Sequence, residues 1–167
     1  MNKKLIFILT IIHLNIFCTS AQIYPVRPQL SDKNSFSMIL LPDPQSYNKF
    51  DANQPLFELQ TAWIAREIDS LRILTALCTG DLVEQNENIV LNRKMLNQTS
   101  REMWEAASHA LARLDGKVPY IVSPGNHDYG YRKAENSRTR FPDYFPFERN
   151  PAWRDVCVAT YPNRNGA

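Results

Sequence analysis

The sequence predicts an α/β fold built on a parallel sheet. Three observations predict it. Short apolar runs at residues 35–41, 73–79 and 118–123 have the length and composition of buried strands. Two stretches with apolar residues at three- and four-residue spacing separate them. Each run closes on a turn that carries polar side chains: Asp43-Pro44-Gln45, Gly80-Asp81 and Gly125-Asn126-His127-Asp128. A strand–helix–strand–helix–strand order with crossovers of this length makes the strands parallel neighbours, so their carboxyl ends share one edge.

The chain has 167 residues, the size of one domain, and 44% of them are hydrophobic, which suits a packed core. The first 21 residues form a separate unit. Asn2-Lys3-Lys4 is a basic start. Residues 5–17 are apolar except for Thr10, His13 and Asn15, and Thr19-Ser20-Ala21 offers small residues before Gln22. This is the three-part layout of a secretory signal peptide with cleavage before Gln22, which implies export to the periplasm or medium. The apolar run is shorter than the roughly 20 residues of a membrane span. Cys18 lacks the small preceding residues of a lipoprotein site, so soluble export is the expectation and no transmembrane segment remains. Removing Lys3 and Lys4 takes the formal net charge from +2 to zero. The remaining basic residues are interspersed with acids, and no basic stripe marks a nucleic-acid surface.

In chain order, residues 22–34 are a polar, proline-containing lead-in, and residues 35–167 form the domain proper. The first strand stops at Pro42, and residues 46–53 read as a polar loop. Pro55 opens a helix at its first turn, whose apolar face is read as Leu56, Leu59, Trp63, Ile64, Ile68 and Leu71, with Trp63 as plain core. After the second strand, residues 82–95 read as loop and then helix. Thr99 or Ser100 caps the next helix, with Glu102 or Glu105 in its first turn. Trp104, Ala107, Leu111 and Leu114 mark its buried face, and Gly116 ends it. Cys78 sits in an apolar run and reads as a small buried hydrophobe. A disulfide with Cys157 is the less favoured alternative.

The three turns carry the chemistry. Asp43 and Asp81, brought to one edge by parallel strands, would be two carboxylates facing each other, costly unless a cation or proton compensates. Oxygen donors mixed with amide and imidazole suit a divalent cation. Two such cations bridged by one carboxylate serve phosphoester hydrolysis by acidifying water and neutralising charge at phosphorus. His127 could stabilise that charge or protonate a leaving oxygen, and Asp128 could fix its tautomer.

The ordered set Asp43-x-Gln45, Gly80-Asp81 and Gly125-Asn126-His127-Asp128 resembles the motifs of calcineurin-like metallophosphoesterases: Asp-x-His, Gly-Asp, and Gly-Asn-His-Asp or Gly-Asn-His-Glu. The resemblance covers residues 36–128, and the aromatic run after it is similar to that of exported bacterial members. It implies a four-layer α/β/β/α sandwich, of which this chain holds the amino-terminal half. It implies two divalent ions of manganese, iron or zinc type and a phosphoester substrate attacked by metal-bound hydroxide. Asp43 and Gln45 would hold the first metal, Asp81 would bridge, and Asn126 would hold the second. His127 and Asp128 would be catalytic. Two departures stand out. Gln45 replaces the usual histidine, as in one branch of the family. The family's three downstream histidines have no counterpart, because the chain's three histidines are His13, His109 and His127. His13 lies in the leader, and His109 reads as a surface or helix-packing residue.

The segment from Phe141 to Trp153 is rich in aromatics and proline without a clean period. It is expected to face the missing half of the sandwich or, as the alternative, to line a substrate cleft. A non-catalytic secreted binding module that uses these aromatics is the second function the sequence admits.

Overall fold

The computed structural model describes residues 28–87, 94–154 and 156–159. The expected signal peptide, residues 22–27 of the lead-in, the middle of the segment after the second strand and the carboxyl-terminal tail lie outside the described residues. The structure is mixed α/β: among the described residues, a three-stranded parallel sheet with four helices. Strands β1 (Ser37–Leu41), β2 (Ile73–Cys78) and β3 (Tyr120–Val122) lie in the order β1-β2-β3. Leu41 pairs with Cys78, and Cys78 pairs with Val122, so the three strand ends are level.

The strands are shorter than the apolar runs that announce them. Helix α1 (Gln45–Asn48) was not expected; the polar loop read there folds instead. Pro44 holds its own φ at −67° and its carbonyl accepts the Tyr47 and Asn48 N–H groups, which nucleates the turn. A 3₁₀ turn at Asp51–Asn53 leads into α2 (Gln54–Glu67), with Pro55 in its first turn. Thr99 caps α3 (Ser100–Ala112) through a capping box: Thr99 Oγ1 accepts the Glu102 N–H, and Glu102 Oε2 accepts the Thr99 N–H at 2.7 Å. Gly116, at φ +71°, carries the turn into β3.

The α2 stripe differs from expectation. Phe57, Thr61 and Ile64 face the core, whereas Leu56 and Leu59 are exposed. A threonine at a core position breaks the apolar pattern in the sequence. Its hydroxyl is satisfied by donating to the Glu58 carbonyl at 3.1 Å, so its burial is tolerated. Trp63 is not plain core. It is half-buried and, with Leu59, Gln60 and Arg66, lines a groove of about 640 Å³ beside Ile39 and Leu41 of the edge strand.

Both long helices lie on one face of the sheet. Phe57 and Ile64 from α2, and Met103, Trp104, Ala107 and Leu111 from α3, share one core with Leu41, Ala76, Cys78 and Tyr120. Two crossovers that step in the same direction along the sheet put their helices on the same side. Each fully buried large side chain contributes about 1.5–3 kcal/mol. The other face presents Met38, Leu40, Leu74 and Ile121, with Phe36 beside them, all more than half exposed.

The aromatic segment corrects a second expectation. It packs on this half of the molecule. Helix α4 (Phe141–Tyr144) and the turn after it bury Phe141 and Phe145, and Tyr144 stacks on Trp104 at 5.5 Å. Arg149 anchors the segment. Its guanidinium lies 4.9 Å from the centre of the Phe145 ring and donates to Asp115, Ser108 and the Tyr144 carbonyl. Buried Asn150 accepts the Gly116 N–H and donates to the Val118 carbonyl. His109 sits on the surface, 3.2 Å from Glu58 on α2. Cys78 is buried with its thiol pushed up to about 12 by desolvation, and neither it nor Cys157 is in a disulfide.

Candidate functional site at the carboxyl edge of the sheet

Parallel pairing carries all three motifs to one edge. The ladder continues past the strands, with the Thr79 N–H donating to the Leu41 carbonyl at 3.2 Å and the Ser123 N–H to the Cys78 carbonyl at 3.0 Å. Beyond these bonds the backbone turns sharply. Asp43, Gly80 and Asp81 have φ of 44°, 102° and 52°. Left-handed backbone costs an aspartate roughly 1–2 kcal/mol, so the surroundings must hold Asp43 and Asp81 in place.

The second and third loops interlock with no room between them. A Cβ on Gly80 would stand 2.3 Å from the Gly125 nitrogen, and one on Gly125 would stand 2.2 Å from Asp81 Oδ1. Only glycine permits that approach. Asp81 Oδ1 then accepts the His127 N–H at 2.9 Å. Across the first gap, the Gln45 N–H donates to the Asp81 carbonyl at 2.8 Å.

Asp128 is fully buried, and its carboxylate accepts three backbone N–H groups: Gly125 at 2.8 Å, Leu82 at 2.8 Å and Val83 at 3.1 Å. Burial outweighs those bonds and pushes its pKa up to about 6, with the Asp81 charge adding to the rise. The carboxylate is thus taken up in stitching two loops together, and it is not the partner of His127. The imidazole's partner is the Glu84 carbonyl, 2.8 Å from Nδ1. A carbonyl only accepts, so Nδ1 carries the proton and Nε2 is left for chemistry. The tautomer role expected of Asp128 therefore belongs to a backbone oxygen, which no side-chain pattern reveals.

Two asparagines complete the frame without any sequence signal beyond their type. Asn48 Nδ2 donates to the Leu82 carbonyl at 2.7 Å. Asn86, fully buried, donates to the Gly130 carbonyl at 2.9 Å and accepts the Arg140 N–H at 2.9 Å, and its own carbonyl accepts from Trp104 Nε1. Lys49 pairs with Glu84 at 3.1 Å on the same loop.

The edge thus brings Asp43, Gln45, Asp81, Asn126 and His127 to neighbouring loops. Asp43 and Asn126 are exposed, and no hydrogen bond holds either side chain among the described residues. Gln45 Oε1 is buried without a donor. Among the described residues no group of three or more His, Cys, Asp or Glu side chains is gathered to hold a metal ion. The donors present are carboxylate and amide oxygens, and an orphaned amide oxygen among them suits a hard divalent cation.

No protein-family model matches the chain. A stretch of 118 residues, 70% of the chain, is 28% identical to an uncharacterized protein, YvnB, of Bacillus subtilis (strain 168). That stretch spans 8% of the length of YvnB.

Proposed function

We propose that this chain carries the amino-terminal part of a calcineurin-like domain that hydrolyses phosphoric esters with the help of two divalent cations. One observation supports the reading most: the Asp43, Asp81 and Asn126-His127 turns, in the order of that family's motifs, stand together on the carboxyl edge of one parallel sheet. Asp43, Gln45, Asp81 and Asn126 would hold cations of manganese, iron or zinc type, with Asp81 shared. Bound there, the cations would supply charge neutralisation toward a phosphoryl group and would acidify water. The chain's own residues do the rest. Asp81, pinned by the His127 N–H, keeps one carboxylate oxygen committed and aims the other away from that bond. His127, with Nδ1 held by Glu84, presents Nε2 to an oxygen of the substrate or leaving group.

The open face of the sheet supports the partial-domain reading. Parallel sheets are covered on both faces, and here Met38, Leu40, Leu74 and Ile121 await a second layer. The signal-like leader supports export from the cytoplasm. The competing reading, a secreted binding module that offers its aromatics to a ligand, loses its platform because Phe141 and Phe145 are buried and Tyr144 is stacked.

The test compares the 167-residue chain with one extended through the downstream reading frame, by metal content and by hydrolysis of an aryl phosphate. Activity and two bound metals in the extended chain, with little of either in the short one, are expected. Full activity in the short chain overturns the partial-domain reading, and no hydrolysis or metal in either overturns the enzyme.

A further inference from the structure

We propose that Asn48 is a positioning residue that aims the Asp81 carboxylate. Helix α1 holds the second loop at two points. Its first residue grips the Asp81 carbonyl through the Gln45 N–H at 2.8 Å, and its last grips the Leu82 carbonyl through Asn48 Nδ2 at 2.7 Å. Two successive peptide oxygens after the left-handed Asp81 are thus held from the first loop. The amides of Leu82 and Val83 are held from the third loop by Asp128. The Asp81 backbone, at φ 52°, lies between two clamps.

Asn48 has the marks of a residue kept for direction. It is 1% exposed, and its Oδ1 is buried without a partner, so the amide is retained for a single donated bond. The amide cannot be flipped to advantage, since Oδ1 would then face the Leu82 carbonyl. Releasing that carbonyl frees the Leu82–Val83 peptide that follows Asp81, and the left-handed Asp81 backbone loses one of its supports. The Asp81 carboxylate then leaves the His127 N–H. The importance of Asp81 rests on the function proposed above, whereas the clamp stands on contacts alone.

The test is amide hydrogen exchange by NMR on the ¹⁵N-labelled 167-residue chain. The His127 N–H, bonded to Asp81 Oδ1, reports the clamp, and the Ala107 N–H inside α3 reports global opening. In Asn48→Leu, exchange at His127 is expected to accelerate ~10-fold or more relative to Ala107. The His127 amide proton should move upfield as its charged acceptor leaves. Asn150→Leu removes an equally buried amide far from this loop and should leave the His127-to-Ala107 ratio unchanged. An unchanged ratio in Asn48→Leu overturns the proposal. Asn48→Ala, which adds no bulk, serves if the leucine variant does not fold. Titration of the chain extended through the downstream reading frame with Mn²⁺ is the second arm, with ~10-fold weaker binding expected in Asn48→Leu; equal affinity overturns the aiming role. If the unmodified extended chain binds no Mn²⁺, the phosphoesterase reading fails, and the exchange ratio still decides the role of Asn48.

Discussion

Around the carboxyl edge of the sheet, the polar groups that tie the loops together find their partners inside the chain, while Gln45 Oε1 and Asn48 Oδ1 stay without one. Asp128 receives three backbone N–H groups, Asn48 and Asn86 tie loops on either side, and His127 is held by a carbonyl. On the open face of the same three strands nothing is matched. Phe36, Met38, Leu40, Leu74 and Ile121 stand more than half exposed, although a parallel sheet buries both faces. The edge is made by hydrogen bonds between loops close to one another, so it completes itself locally. The face needs apolar surface of matching size, which the described residues do not supply.

Four experiments test that contrast. The largest effect belongs to the edge. Gly125→Ala drives a Cβ into the Asp81 carboxylate and backbone, so a loss of at least ~3 kcal/mol in unfolding free energy is expected by urea denaturation. A loss below 1 kcal/mol would mean the loops are not interlocked. Asp128→Asn comes next. It keeps the shape but sets an NH₂ against backbone donors, and should cost about 2 kcal/mol in the same assay. On the open face, Leu40→Thr and Leu74→Thr keep β propensity and should change stability by no more than about 0.5 kcal/mol while reducing self-association in sedimentation. A large stability loss there would show that the face is already covered. The smallest effect is chemical. At pH 8 Cys157 should alkylate quickly, whereas Cys78, whose thiol stays protonated up to about pH 12, should alkylate only on unfolding; mass spectrometry of the labelled peptides separates them.

Much of the edge is legible in the sequence because its signals are local: an apolar run, then a turn with a carboxylate. Parallel order follows from the alternation with helices, and that places Asp43, Asp81 and Asn126 together without any contact being known. The missed features share one cause, which is dependence on partners far along the chain. Glu84 acts through its carbonyl, so its side chain says nothing. Asp128 looks like a partner for the adjacent imidazole, yet its lone pairs go to amides before and behind it. Thr61 hides the buried stripe of α2 because its hydroxyl is satisfied by its own helix. The aromatics after Arg140 have no period, and the guanidinium of Arg149 organises them over Phe145.

The order β1-β2-β3 has a kinetic meaning as well. Each strand pairs with its neighbour in sequence, so every pairing closes a loop of only one crossover. Each closure still spans a whole helix, and parallel pairing across such a span is slow. The helix-covered side and the interlocked turns form within the same closures, because the same crossovers build both. The bare aliphatic side is then the last surface to be satisfied, and the interval before that is when a newly made chain is most exposed to wrong partners.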